Sequence, residues 1–98
     1  MDYNVKFFAI FREITGEREK TFHSDVPVNV KDALKQLVDR YGEKFSGELF
    51  KGDNIAEHYM VLVNGKNINF LNGLETKLEN KDEIAILPPV GGGCTEQN

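Results

Sequence analysis

Glu83-Ile84-Ala85-Ile86-Leu87-Pro88-Pro89-Val90-Gly91-Gly92-Gly93 is the stretch on which the architecture turns. Ile84 and Ile86 alternate with their neighbours, the period of a strand with one buried face. Two prolines follow at once. They remove backbone donors and fix φ, so the sheet ends at Pro88 and the chain leaves it extended. The three glycines carry no side chains and can enter a slot too narrow for any other residue. Terminal glycines alone are also the composition of a plain tail or a leftover linker. Their place behind a strand and two prolines is what points to use.

A strand that comes after every other element can pair beside the first one, so what precedes it decides the fold. Tyr3 to Phe11 is rich in β-branched and aromatic residues, with Val5, Phe7, Ala9 and Phe11 alternating against Lys6, Phe8 and Ile10. This predicts a first strand. Arg12 to Gly16 reads as a short turn and Glu17 to His23 as a second strand, the two forming a hairpin. After Pro27, the residues Val30, Ala33, Leu34, Leu37, Val38 and Tyr41 recur at the three-and-four spacing of one helical face. Asn29 suits the cap, Asp32 the first turn, and Gly42 a left-handed stop. Glu43 to Glu57 has apolar anchors without a period and is expected to be irregular. A third strand, His58 to Val63, meets Asn64-Gly65 and continues as Lys66 to Phe70; Asn-Gly is the strongest short hairpin signal because both residues accept positive φ. Leu71 to Leu74 and Glu79 to Asp82 read as turns. The expected class is therefore α+β, a β-grasp (ubiquitin-like) roll with a mixed sheet packed on one main helix, spanning residues 1–90, with a flexible C-terminal tail over 91–98.

Composition narrows the function. At 98 residues the chain is one domain, which buries roughly 65% of its unfolded surface. With 40% hydrophobic and 29% charged residues it has the make-up of an ordinary soluble domain. A formal charge of −4, with no run of Lys and Arg, repels a phosphate backbone and argues against nucleic-acid binding. The N-terminal residues lack a signal-peptide pattern, and the longest apolar run, near Tyr59 to Val63, is too short to cross a bilayer. One cysteine cannot form an internal disulfide, which fits a reducing cytoplasm.

Several segments, in order over residues 3 to 93, carry a family resemblance. They are Val5-Lys6-Phe7-Phe8-Ala9, Arg12-Glu13-Ile14-Thr15-Gly16, Val63-Asn64-Gly65-Lys66, Leu74-Glu75-Thr76-Lys77-Leu78, Asp82-Glu83-Ile84-Ala85 and Pro88-Pro89-Val90-Gly91-Gly92-Gly93. The chain resembles the ubiquitin-like sulfur carriers, most closely the small subunits of molybdopterin synthase. In that family a partner, an E1-like adenylating enzyme, uses ATP to activate the terminal glycine carboxylate, and a sulfur donor converts it to a thiocarboxylate. The resemblance implies Gly93 as the sulfur-bearing residue, Gly92 as the second of the pair and Gly91 before them. It also implies a chain that binds no cofactor, donates sulfur to molybdopterin together with a large synthase subunit, and is a co-substrate rather than an enzyme on its own. No phosphate-binding loop is present in this sequence, so the ATP chemistry falls to the partner. Sulfur carriers for thiazole, cysteine or tRNA thiolation, and ubiquitin-like protein modifiers, share the same end.

The sequence departs from the family pattern at one bond. It continues past the double glycine as Cys94-Thr95-Glu96-Gln97-Asn98, so Gly93 carries an amide where a free carboxylate is needed. Some relatives lose such extensions to a peptidase, and cleavage after Gly93 is the expectation here. Cys94 has no nearby positive charge to make it a thiolate, and reads as part of the removable peptide.

Strand alternation places Phe8 and Ile10 opposite Val5 and Phe7. Leu62 and Leu87 would then join Phe8 in an apolar docking patch that leads through Pro88, Pro89, Val90 and Gly91 into the tail. The reverse assignment of faces fits the alternation equally. Relatives often carry an aromatic residue where Leu87 stands. His23 and His58 share no ligand spacing with Cys94 and predict no metal site. Glu17 and Glu19 read as solubilising charge on one face of an edge strand.

Overall fold

The computed structural model describes residues 1–88. Its elements in chain order are β1 (Asp2–Phe7), α1 (Ile10–Thr15), β2 (Glu19–His23), α2 (Val30–Tyr41), α3 (Glu43–Leu49), β3 (Phe50–Lys51), β4 (Asn54–Ile55), β5 (Met60–Val63), β6 (Lys66–Asn67) and β7 (Asp82–Leu87), with 3-10 turns at Ile68–Phe70 and Gly73–Glu75. Five strands form one sheet in the order β2-β1-β7-β5-β6. The last strand lies parallel to the first, Val5 opposite Ile84 and Phe7 opposite Ile86, while β2 and β5 flank that central pair antiparallel. This is the β-grasp roll, with α2 on the inner face.

The core follows from the two periodicities. Tyr3, Val5 and Phe7 from β1, Ile84 and Ile86 from β7, and Val61 and Val63 from β5 meet Val30, Ala33, Leu34 and Leu37 of α2, all buried. The N-terminus of α2 is closed by a capping box: the Asp32 N–H donates to Asn29 Oδ1 at 2.8 Å and the Asn29 N–H donates to Asp32 Oδ2 at 3.1 Å. Gly42 ends the helix at φ 83°, but its ψ of −160° departs from a left-handed cap and turns the chain directly into α3.

Three local expectations are corrected. The first strand stops at Phe7 instead of Phe11, because Phe8 and Ala9 make a tight turn in which the Phe11 N–H donates to the Phe8 carbonyl at 3.0 Å and Ala9 adopts φ 50°, ψ −124°. The expected turn of Arg12 to Gly16 falls largely in α1, which is closed by Gly16 at φ 74° and drives Phe11 fully into the core. Apolar residues at 10, 11 and 14 satisfy both a strand and a helix over so short a window. Second, part of the irregular segment is regular: α3 buries Phe45 and Leu49 one turn apart, and β3 and β4 form a small hairpin. Phe45 joins an aromatic cluster with ring centroids 6.2 Å from Phe7, 5.2 Å from Phe11 and 5.9 Å from Tyr41. Two apolar anchors beside Ser46 and Gly47 are too few to show a helical period. Third, the Asn64-Gly65 hairpin forms, with φ of 51° and 85°, but its second strand ends at Asn67. The Asn67 side chain accepts the Asn69 N–H at 2.9 Å and curls the chain into a 3-10 turn, leaving Phe70 86% exposed.

Candidate functional site

The strand that leads to the glycines lies in the middle of the sheet, and its outward side chains define the site. Ile84 and Ile86 point to α2, so Ala85 and Leu87 face away from it. Antiparallel register sets Met60 opposite Leu87 and Leu62 opposite Ala85. On the other flank β1 pairs Phe7 with Ile86, and Phe8 follows that pair as Leu87 does on β7. Phe8, Met60, Leu62, Ala85 and Leu87 are all half-buried, and none of them belongs to the core or to the side chains packed against it. They form an apolar band on the outer face across β5, β7 and the turn that follows β1. The face assignment for Phe8, Leu62 and Leu87 is therefore the first of the two read from alternation.

Ile10 leaves this set. It opens α1 and packs against the core, because the strand it was assigned to ends three residues earlier. Met60 enters it; the signal was present in the sequence, two residues before Leu62 on the same strand. Arg12 enters too, and only the fold shows it. Its guanidinium lies 5.2 Å from the centre of the Phe8 ring while Nε–H donates to the Phe7 carbonyl at 2.9 Å. That carbonyl bond holds a cation at the rim of the apolar band, over the ring of its single aromatic member, Phe8. Further along the same face, Lys6 and Glu83 pair at 3.5 Å. An apolar centre with a charged rim is the anatomy of a protein-docking surface.

Pro88, half-buried, is the last described residue. Pro89, Val90, Gly91, Gly92 and Gly93, with Cys94 and the rest of the extension, lie outside the described residues. So does the expected boundary between domain and tail.

The residues discounted in the sequence take the following positions. His23, on the exposed side of β2, is held between two carboxylates, Nδ1 to Asp2 Oδ1 at 2.6 Å and Nε2 to Asp25 Oδ1 at 2.8 Å. Hydrogen bonds to Asp2 and then Asp25 raise its pKa, and the bond to His23 lowers that of Asp2. His58 precedes β5 and is exposed. Among the described residues, no group of three or more His, Cys, Asp or Glu side chains could hold a metal ion. Glu17 precedes β2 and does not share a strand face with Glu19. It accepts the Tyr41 hydroxyl at 2.5 Å, and that bond adds to burial in raising the tyrosine pKa. Glu19 accepts from Asn4 Nδ2 at 2.7 Å. No helix among the described residues is long and apolar enough to cross a membrane.

Comparison with known proteins agrees with this fold. The family model described as "ThiS family" matches residues 5–93. Small archaeal modifier protein 3 of Haloferax volcanii is 33% identical over 93 residues, covering 95% of this chain and 100% of that protein. The molybdopterin synthase sulfur carrier subunit of Haemophilus influenzae is 33% identical over 90 residues, covering 92% of this chain and 98% of that protein. The solution structure of small archaeal modifier protein 1 from Methanosarcina acetivorans superposes with a TM-score of 0.77 at 39% identity, covering 94% of this chain and 96% of that one.

Proposed function

Because the chain belongs to the ThiS family of ubiquitin-like sulfur carriers, we propose that it delivers sulfur in molybdopterin biosynthesis, in the cytoplasm, from a thiocarboxylate on Gly93. The observation that carries this reading is the apolar band of Phe8, Met60, Leu62 and Leu87, gathered around the end of the strand that runs into Pro88. A partner docked on that band is placed beside the point from which Pro89, Val90 and Gly91 lead to Gly92 and Gly93 in the sequence.

The chemistry explains why a carrier needs partners. A carboxylate is a poor electrophile until one oxygen becomes a leaving group. The partner supplies this by attaching AMP from ATP and releasing pyrophosphate. Sulfur at the sulfide level then attacks the glycine carbonyl, AMP departs with the oxygen, and the thiocarboxylate remains as a nucleophile on a protein handle. The large synthase subunit would hold the pterin precursor while this sulfur attacks it. All of this requires removal of Cys94 to Asn98, which frees the Gly93 carboxylate, and a peptidase is the implied agent.

Mass spectrometry of the protein from its native cell tests the reading. A chain ending at Gly93, with one oxygen replaced by sulfur, is the expected species, together with co-purification of a large synthase subunit. A chain that stays intact to Asn98 overturns it.

The names of the relatives favour a second reading, since two of them are small archaeal modifier proteins. In a modifier the same activated glycine is attacked by a lysine amine and an isopeptide forms. Conjugates that survive reductant and carry a diglycine remnant on lysine would select that reading.

A further inference from the structure

The chain contains two Asn-Gly dipeptides, Asn64-Gly65 and Asn72-Gly73, and the fold treats them differently. Both asparagines are exposed, and a Cβ built on either glycine would meet nothing within 4 Å. Although Gly73 is half-buried where Gly65 is exposed, solvent access to the asparagines and the space around the glycines are therefore matched. The hydrogen bonding is not. Asn64 sits in the β5–β6 turn and is held to β7 at three points: its N–H donates to the Glu83 carbonyl at 2.8 Å, Nδ2 donates to Asp82 Oδ1 at 2.8 Å, and Oδ1 accepts the Glu83 N–H at 2.9 Å. Asn72 stands before the 3-10 turn Gly73–Glu75 at φ −99°, ψ 25°, and its side chain makes no capping hydrogen bond. Among the described residues only its backbone is engaged, the N–H donating to Thr76 Oγ1 at 3.1 Å and the carbonyl accepting from the Glu75 N–H at 3.1 Å.

We infer that Asn72 is a site of spontaneous covalent modification, conversion of its amide to aspartate and isoaspartate, and that Asn64 is protected from the same reaction by β7. The Gly73 backbone nitrogen gives its proton to solvent base and attacks Cγ of Asn72. A new C–N bond closes a succinimide ring, and the side-chain nitrogen leaves as ammonia. Water then opens the ring at one carbonyl or the other, giving aspartate or isoaspartate with no change of oxidation state. The attack requires the asparagine side chain to swing toward the following nitrogen. At Asn64 that swing breaks both side-chain bonds to β7; at Asn72 the side chain starts without such bonds.

The product has structural consequences. Isoaspartate lengthens the backbone by one methylene next to Gly73, whose carbonyl accepts both the Thr76 hydroxyl at 2.7 Å and the Thr76 N–H at 3.1 Å. The Thr76 carbonyl in turn accepts the Val30 N–H at 2.9 Å, at the first residue of α2. Modification at Asn72 therefore loosens the loop tied to the start of the main helix. It also places a new negative charge beside Phe70 and Leu71, the exposed apolar pair of that loop.

The test is peptide mapping of the folded full-length chain, incubated at mildly alkaline pH, with isoaspartate scored by its reactivity toward an isoaspartyl methyltransferase. Conversion at Asn72 is expected to run at least about tenfold faster than at Asn64, the scale set by two hydrogen bonds that must open together. In denaturant the two sites should converge, because the protection belongs to the fold. Asp82→Ala should raise the rate at Asn64 while leaving Asn72 unchanged, and the denaturant comparison stands if that variant folds poorly. Equal rates in the folded protein, or a difference that persists in denaturant, would overturn the inference.

Discussion

At Ala9 the chain takes φ 50°, ψ −124°, the conformation of the first central residue of a II′ turn, where glycine is the usual occupant. A Cβ there carries strain of order 1–3 kcal/mol. Ala9→Gly is therefore expected to stabilise the fold by about 1 kcal/mol, less than the strain because glycine costs entropy in the unfolded chain. Urea denaturation reads this directly, and a loss of stability would contradict the assigned geometry. His23 makes a pH prediction. Its pKa is raised in the folded state, so its bonds to Asp2 and Asp25 contribute fully below its ordinary value of 6.5 and fade as pH rises through the raised one. The Asp2 value is lowered, so its part is present above 3.8 and is lost as pH falls through the lowered one. The stability difference between the natural chain and His23→Gln should peak between 3.8 and 6.5 and shrink on either side. A difference that grows toward alkaline pH would reverse the sign of the coupling.

Elements extend these local effects. The helix α3 is short, and little in its sequence favours it: Ser46 and Gly47 sit mid-helix, and no side chain caps its N-terminus. What holds it is tertiary, the fully buried rings and chains of Phe45 and Leu49 against α1, β1 and α2. Phe45→Ala should therefore cost about 3–5 kcal/mol, a large share of a small domain's stability. Calorimetry would show this as a drop in the melting temperature of the whole domain. An unchanged melting temperature would mean that α3 is not part of the core.

Across the whole molecule, the two faces of one sheet differ in what covers them. Its inner face binds α2 and makes the domain; its outer face carries the apolar band beside the outgoing chain. Leu87→Ala separates the two roles, since Leu87 is absent from the core. Loss of a central apolar anchor from an interface is worth about 2 kcal/mol, so on the proposed function binding to a large synthase subunit should weaken by roughly thirtyfold. The melting temperature should move by only a few degrees. Titration of the two proteins against each other checks the first figure, and full-strength binding by the variant would place the docking face elsewhere.

The sequence by itself determined the elements whose periodicity is long or whose turn chemistry is unambiguous. Helix α2 with its Asn29 cap, the Asn64-Gly65 hairpin and the placing of Ile84 and Ile86 on one shared face of the last strand all stand as the residues placed them. Each of these signals is local, so neighbouring residues suffice to state it. The glycine-rich end was likewise legible as a motif, and its match runs to residue 93. Only the tertiary structure decided between the two faces of the sheet, because alternation is symmetric until a helix covers one side. It also decided that Phe11 belongs to a helix and that Arg12 lies over Phe8. Those positions depend on a single turn at Ala9 and on side chains from distant strands, which no short window of sequence contains.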